Sequence, residues 1–268
     1  MPSSLNAKAL IPSIVPPVIV GLLTIIVWYT SIYLFDIPVY QLPAPHLIFE
    51  AGLDESETLI TGTLQTSIAC VFGFVTSSVI GVLMSILLAS SRWAYNGIYP
   101  YILVLKMMPV IVLAPIIVLS FGQGLASITI ITFLICFFPI VANTTMGLIS
   151  TEQNLEHLFA VYGASKRQKL LYLQIPHAMP YFLTGLKISA ALTPIGALYG
   201  DTIAGMGSGS DAGLGFVVVI FSTQLKIPAL YAAAITACVI GFVFVGFVSW
   251  LHWLALHKWH SYYTKDSH

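Results

Sequence analysis

Two ionisable residues stand almost alone in long apolar stretches of this sequence. Lys106 begins the run "KMMPVIVLAPIIVLSFGQG", and Asp201 follows a run that contains Pro194 and Gly200. A charge in apolar surroundings is costly, so such residues either serve ions and solutes or bond locally. Proline and glycine loosen a helix, and irregular backbone in a membrane lines a cavity or packs in protein. With Pro109, these residues are candidates for a solute pathway or gate: Lys106, Pro109, Pro194 and Asp201.

Each of the two charged residues can also have a purely structural role, and this alternative stays open beside the functional one. The ammonium group of Lys106 can extend along its own stem to the cytoplasmic surface. The carboxylate of Asp201 can bond locally and hold the loop that follows it. In the pathway hypothesis, the helix that ends near Asp201 lines the solute pathway, and Asp201 lies at the mouth of that pathway.

A polar, basic segment at residues 150–180 separates two apolar runs. Ser150 with Gln153, and Ser165 with Gln168, fit the spacing of a helix-capping box. Gly163 lies between them and can end the first helix in a left-handed conformation. The segment therefore predicts a helix, a glycine elbow and a second helix, which Pro176 and Pro180 limit.

The elbow has the chemistry of a docking surface. Glu152 and Glu156 are one helical turn apart, and the second helix mixes the cations Lys166, Arg167 and Lys169 with leucines and a tyrosine. Such a surface suits a groove on a partner. The alternative is a solvated loop whose cations only fix the topology.

Other patterns in the sequence do not support catalysis or cofactor binding. The segment "GMGSGSDAGLG" at 205–215 lacks the Gly-Lys-Ser/Thr of a phosphate loop and is interpreted as an external turn. His252, His257 and His260 lie among Trp and Tyr residues and are interpreted as an interfacial anchor, with a metal site as the alternative. Cys70, Cys136 and Cys238 are interpreted as packing residues. We expect no enzyme activity, metal or cofactor in this chain.

The composition is that of an all-α integral membrane protein. Of the 268 residues, 58% are hydrophobic and 7% are charged, against about 25% charged in soluble domains. Apolar runs of about 20 residues are long enough to cross a bilayer as helices. Residues 1–268 are predicted to form one membrane domain with six spans, at about 18–35, 62–90, 99–120, 125–148, 181–204 and 229–256.

The distribution of charge predicts the orientation. Bases concentrate on one predicted side of the membrane, and acids on the other, where Lys226 is the one base. By the positive-inside rule the basic side is cytoplasmic, which places both termini and the elbow there. The bases are Lys8, Arg92, Lys166, Arg167, Lys169, Lys187, Lys258 and Lys265, and the acids are Asp36, Glu50, Asp54, Glu55, Glu57 and Asp211.

The elbow sequence "GASKRQKLLYLQIPHAMPYFLTGLK" resembles the coupling loop of permease subunits of bacterial type I ABC importers. That motif is Glu-Ala-Ala, three residues, Gly, nine residues, then Ile-x-Leu-Pro. Gly163 and the later apolar and proline positions match. The Glu-Ala-Ala positions hold His157, Leu158 and Phe159, and Glu156 comes one place early. The resemblance implies contacts to an ATPase for Glu156, His157, Gly163, Ala164, Lys166, Arg167, Leu173, Ile175 and Pro176.

Other stretches resemble the nitrate, sulfonate and taurine branch of this family. They are "LPAPHLIFE", "TLQTSIACVFGF", "KMMPVIVLAPIIVLSFGQG" and "DAGLGFVVV". The resemblance implies a bacterial inner-membrane subunit that pairs with a second permease copy, two cytoplasmic ATPase subunits that bind ATP and magnesium, and a periplasmic or lipid-anchored binding protein. The formal net charge of zero excludes a strongly basic protein that binds nucleic acid.

The substrate stays open between small anions and heterocycles. Helices three to five carry few cations and offer Tyr, Phe and Met, which favours an uncharged or aromatic solute. The C-terminal "HKWHS" resembles permeases for pyrimidine precursors of thiamine. The alternative function is a self-contained, ion-coupled secondary transporter, although such carriers usually show more intramembrane acids or inverted repeats.

Overall fold

The protein consists of α-helices joined by turns and loops in the part of the chain described by the computed structural model, residues 7–205 and 212–263. Side chains are described for 15–205 and 212–254. The helices are α1 (Ala7–Leu34), α2 (Pro45–Asp54), α3 (Ser56–Ser90), α4 (Arg92–Met107), α5 (Val110–Phe121), α6 (Leu125–Ile149), α7 (Gln153–Val161), α8 (Lys166–Lys169), α9 (Ile175–Ala204), α10 (Leu214–Thr223) and α11 (Ile227–Tyr263), with a π-helical turn at Leu170–Gln174.

Five helical stretches in these ranges are long and apolar enough to cross a membrane. They become six if α4 and α5 together count as one bent span. The all-α membrane fold and a count of about six spans are therefore confirmed. Two short helices flank the spans, α2 before the second span and α10 after the glycine-rich segment.

The core is built from α3, α6 and α9, which pack closely because small residues line their contacts. A Cβ atom on Gly81 of α3 would lie 2.8 Å from Ile140 of α6. A Cβ atom on Gly185 of α9 would lie 3.0 Å from the carbonyl oxygen of Pro139. Buried hydroxyls join the same helices, as where Ser189 donates to the carbonyl of Cys136 at 2.7 Å. Small and hydroxylated residues hold membrane helices together because lipid offers no hydrophobic drive for helix association.

The predicted third span, residues 99–120, is not one helix. The chain bends by 98° between α4 and α5. Met108 is extended (φ −70°, ψ 124°) because the residue before a proline is forced away from the α region, and Pro109 is extended as well. The break after Phe121 does occur as predicted, where Gly122 and Gly124 have positive φ angles of 83° and 110°.

Two predictions about the elbow helices were wrong. Pro176 and Pro180 do not limit the second helix, which continues from Lys166 through the π turn to Ala204. The π turn changes the spacing of the backbone bonds just before Pro176, and proline is tolerated where such bonds are already rearranged. Ser150 forms no capping box, because α7 begins after Glu152.

Some residues used in the sequence arguments lie outside the described side chains. They are Lys8, Lys258, Lys265 and Asp211 of the charge argument, His257 and His260 of the histidine group, and residues 206–211 of the glycine-rich segment.

Candidate functional site

The elbow turns at Gly163, which has a φ of +66°. The N–H of Gly163 donates to the carbonyl of Ala160 at 3.0 Å, and the N–H of Ala164 donates to Phe159 at 2.9 Å. These two bonds form a Schellman motif, which closes a helix on a left-handed residue. A Cβ atom at this glycine would meet open space, so the requirement there is the positive φ and not room.

The second arm of the elbow begins with a complete capping box. The hydroxyl of Ser165 accepts from the N–H of Gln168 at 3.3 Å, and the amide oxygen of Gln168 accepts from the N–H of Ser165 at 2.8 Å. This box is the predicted one. The arm then runs without interruption into the span that ends at Ala204. The elbow is therefore joined directly to a membrane helix.

Glu156 braces the two arms of the elbow against each other. Its carboxylate accepts from the hydroxyl of Thr151 at 2.6 Å and forms a salt bridge of 3.0 Å with Lys169. The Thr151 hydroxyl and then the Lys169 ammonium hold the pKa of Glu156 below its usual value, because both favour the charged carboxylate. The sequence predicts a partner contact for Glu156 and does not indicate Thr151, which lies in the link between α6 and α7.

The structure divides the remaining elbow residues into an exposed set and an anchoring set. His157, Lys166 and Arg167 are exposed, whereas Leu173 is buried and Ala164, Ile175 and Pro176 are partly buried. Sequence reasoning also missed Val161 and Tyr162, which are 84% and 81% exposed just before the turn. Two large apolar residues next to an elbow glycine are the signal that could have indicated them. Exposed apolar and basic side chains together suit a protein partner.

Asp201 lies at the opposite end of the helix core and is 1% exposed. Its carboxylate accepts from the hydroxyl of Thr66 at 2.5 Å and from the backbone N–H of Gly215. The hydroxyl of Thr66 in turn accepts from the N–H of Leu214 at 2.9 Å. A Cβ atom at Gly213 would overlap the carboxylate, so only glycine fits there. Asp201 thus joins α3 and α9 to the start of α10.

The other pathway candidates occupy separate places. Lys106 is exposed in the last turn of α4, and Pro109 is exposed at the break before α5. Pro194 is buried in α9 and lines a groove of about 350 Å³ beside α11, together with Gly241 and Phe242. Asp201 lines a different cavity of about 170 Å³ with Gln65.

A hydroxyl compensates for the proline inside α5. Pro115 has no N–H for the carbonyl of Ile111, four residues earlier, and Tyr199 of α9 donates to that carbonyl at 3.2 Å. The bond connects the second half of the broken span to α9, the helix that carries Pro194 and Asp201.

Comparison with known proteins identifies the family. Residues 77–253 match the family described as binding-protein-dependent transport system inner membrane component. The chain belongs to this family. It is a permease component of a binding-protein-dependent ABC importer, a multi-pass protein of the inner membrane.

Three relatives illustrate the range of the permeases to which the chain is similar. The formylaminopyrimidine transport permease protein ThiX of Halalkalibacterium halodurans is 35% identical over 226 residues, covering 84% of this chain and 88% of the relative. The riboflavin transport system permease protein RibX of Chloroflexus aurantiacus is 31% identical, covering 82% and 81%. The nitrate import permease protein NrtB of a Synechocystis species is 27% identical, covering 69% and 65%.

Proposed function

We propose that two copies of this permease form a homodimer whose elbows dock on two cytoplasmic ATPase subunits. The observation that carries the proposal is the uninterrupted helical run from Lys166 to Ala204, which joins the elbow to Pro194 and Asp201. The brace between Glu156 and Lys169 makes the two arms of the elbow move together. ATP and magnesium bind in the partner subunits, and a periplasmic or lipid-anchored binding protein delivers the solute.

The contact with the ATPase uses the exposed side of the elbow. His157 offers a polar contact there, and Val161 and Tyr162 offer apolar ones, whereas Lys166 and Arg167 line a cavity against α3. Glu156 acts within the elbow through Thr151 and Lys169. Both termini and the elbow lie on the cytoplasmic side, because the basic residues concentrate there.

The broken span supports an aqueous pathway at the surface between two copies. Backbone that is not helical at membrane depth must pack on protein or line a water-filled cavity. Met108, Pro109 and Lys106 are exposed in the single chain. Lys106 also forms no salt bridge within the residues that the structure describes. We assign this break, with Pro194 and the outer cavity at Asp201, to the pathway or its gates.

The proposed solute is an uncharged or aromatic nitrogen heterocycle. ThiX and RibX, which are named for the transport of formylaminopyrimidine and riboflavin, are both more similar to this chain than NrtB is. The groove at Pro194 supports the same choice, since its other lining residues are alanine, isoleucine, leucine, cysteine, glycine, phenylalanine and valine. Such a surface suits a flat ring better than a small anion.

Reconstitution in liposomes tests the proposed function. The permease with its ATPase and binding protein should take up solute with ATP and stop with a non-hydrolysable analogue. The permease alone should move no solute under an ion gradient. Gradient-driven uptake by the lone chain would instead support the alternative of a self-contained secondary transporter.

The elbow is tested by Gly163→Val. A β-branched residue at φ +66° costs at least about 1 kcal/mol, so the variant should insert in the membrane but lose its ATPase on co-purification. Gly246→Val is the matched control, because Gly246 has open space around it and no positive φ. Full retention of the ATPase by Gly163→Val would refute the docking role.

A further inference from the structure

Two cavities lie one below the other along the contact between α3 and the helical run that begins at Lys166. The upper cavity is about 360 Å³, and its lining includes Ala89, Ser90, Lys166, Arg167, Lys169 and Gln174. The lower cavity is about 130 Å³, and its lining includes Val82, Ile86, Leu148, Ala178, Met179 and Phe182. Both cavities have α3 on one wall and this helical run on the other, and we call the pair the α3–α9 groove.

The groove has the depth of one membrane leaflet. Ser90 and Val82 are eight residues apart on α3, which corresponds to about 12 Å along the helix. Lys169 and Phe182 are thirteen residues apart on the other wall, or about 20 Å. One leaflet of the hydrocarbon core is about 15 Å deep.

Exposed aromatic residues mark the membrane surface at the upper cavity. Trp93, three residues after Ser90, is 83% exposed, and Tyr172, on the π turn, is 72% exposed. Trp and Tyr prefer the boundary between membrane and water. The upper cavity therefore lies at the level of the lipid headgroups, and the lower one lies at the level of the acyl chains.

The chemistry of the two cavities differs accordingly. The upper cavity holds three cations and no acidic side chain. Glu156 neutralises Lys169, whereas Lys166 and Arg167 form no salt bridge within the part of the chain that the structure describes. In the lower cavity the residues are apolar apart from one threonine.

We propose that the α3–α9 groove binds an anionic phospholipid of the cytoplasmic leaflet. Lys166 and Arg167 contact the phosphate of the headgroup, and one acyl chain enters the lower cavity beside Val82 and Met179. A basic mouth above an apolar slot complements a molecule that carries its negative charge at the surface and its hydrocarbon below. A water-soluble partner could contact the mouth but has no segment at the depth of the slot.

The experiment uses the full-length permease purified in detergent. It is titrated with phosphatidylglycerol, with phosphatidylcholine of the same acyl chains, and with inorganic phosphate alone, and binding is followed by native mass spectrometry and by thermal shift. Phosphatidylglycerol should bind at least tenfold more tightly than either of the other two. Each cation near the surface contributes about fivefold in affinity, so the double variant K166Q/R167Q should bind phosphatidylglycerol about 30-fold more weakly.

Matched controls separate the site from general effects of charge and bulk. Lys187→Gln removes an exposed cation of the same helical run that lines neither cavity, and should leave the affinity within twofold. Val82→Phe narrows the slot and should weaken lipid binding, whereas Val79→Phe adds the same bulk at an exposed position of α3 that lines neither cavity. If Val82→Phe is produced poorly, Ile86→Phe makes the same test one turn away.

Three results would overturn the proposal. Equal binding of the two phospholipids would show that the groove does not recognise the negative charge of the headgroup. Equal binding of phosphate and phosphatidylglycerol would reduce the groove to an anion site without a lipid. Unchanged binding by K166Q/R167Q, or by both slot variants, would show that the groove is not where the lipid lies.

Discussion

The hydroxyl of Thr66 should be a major stabilising contact at the end of the helix core that lies opposite the elbow. It donates to Asp201 at 2.5 Å and accepts from the N–H of Leu214 at 2.9 Å, and Thr66 itself is fully buried. Thr66→Val keeps the shape and removes both bonds. The change leaves a buried carboxylate with one donor fewer and a buried N–H without its acceptor.

The magnitude follows from these two losses. A hydrogen bond to a charged group is worth about 1.5–3 kcal/mol, and a buried donor left without a partner costs about 1–3 kcal/mol. Their sum is roughly 2.5–6 kcal/mol. Each kcal/mol moves the melting temperature of a chain of this size by about 2–4 °C, so Thr66→Val should melt at least about 5 °C lower.

Thermal unfolding in detergent measures the effect, with two comparison variants. Thr63→Val, one turn earlier on α3, loses only a bond to the carbonyl of Leu59 in its own helix. Thr66→Ser keeps a hydroxyl and should restore most of the stability. A melting temperature for Thr66→Val equal to that of Thr63→Val would refute the reasoning. It would also favour the pathway role of Asp201 over the structural one.

Three further predictions concern the elbow, the broken span and the orientation. Glu156→Gln should lower the melting temperature at pH 7 by removing the brace. That difference should shrink as the pH falls through the lowered pKa of Glu156, because a carboxylate with a depressed pKa stabilises the fold only while it is ionised. Tyr199→Phe leaves the carbonyl of Ile111 without its donor and should increase amide exchange in α5, measured by hydrogen–deuterium exchange. Cysteines introduced near Glu55 should react with an impermeant thiol reagent added outside, whereas cysteines near Arg167 should not.

Each of these predictions has an opposing result. A pH-independent difference for Glu156→Gln would show that its charge is not what braces the elbow. Tyr181→Phe, which changes another tyrosine of α9, is the control for Tyr199→Phe. Equal amide exchange in α5 in both variants would show that the Tyr199 hydroxyl does not stabilise α5. Labelling only near Arg167 would show that the orientation is the reverse of the predicted one and that the elbow does not lie in the cytoplasm.

The features that sequence predicts well are those fixed by a few neighbouring residues. Gly163 could end a helix only in the left-handed region, and Ser165 with Gln168 formed the expected capping box three residues apart. The turn at Gly122 and Gly124 is local in the same sense. These elements depend on backbone geometry within one turn of the chain, so no knowledge of the packing was needed.

The features that sequence missed depend on the surroundings of a proline or on distant partners. Pro109 bends the chain by 98°, whereas Pro176 and Pro180 leave their helix continuous, and hydropathy cannot distinguish these cases. Thr66 and Asp201 are 135 residues apart, and their contact exists only once α3 packs on α9. The partner of Glu156 likewise follows from the angle of the elbow and not from its sequence.

The continuous helical run from Lys166 to Ala204 has a mechanical consequence. Its 39 residues extend about 58 Å, nearly twice the thickness of the hydrocarbon core. A rigid rod of this length that pivots at its middle moves its two ends in opposite directions, by about 0.5 Å for each degree of tilt. Displacing the elbow by a few ångströms therefore carries Asp201, and α10 with it, the opposite way by a similar distance. The π turn at Leu170–Gln174 lies between the elbow and the span, so its stiffness affects how much of a displacement at the elbow is transmitted to the far end of the membrane.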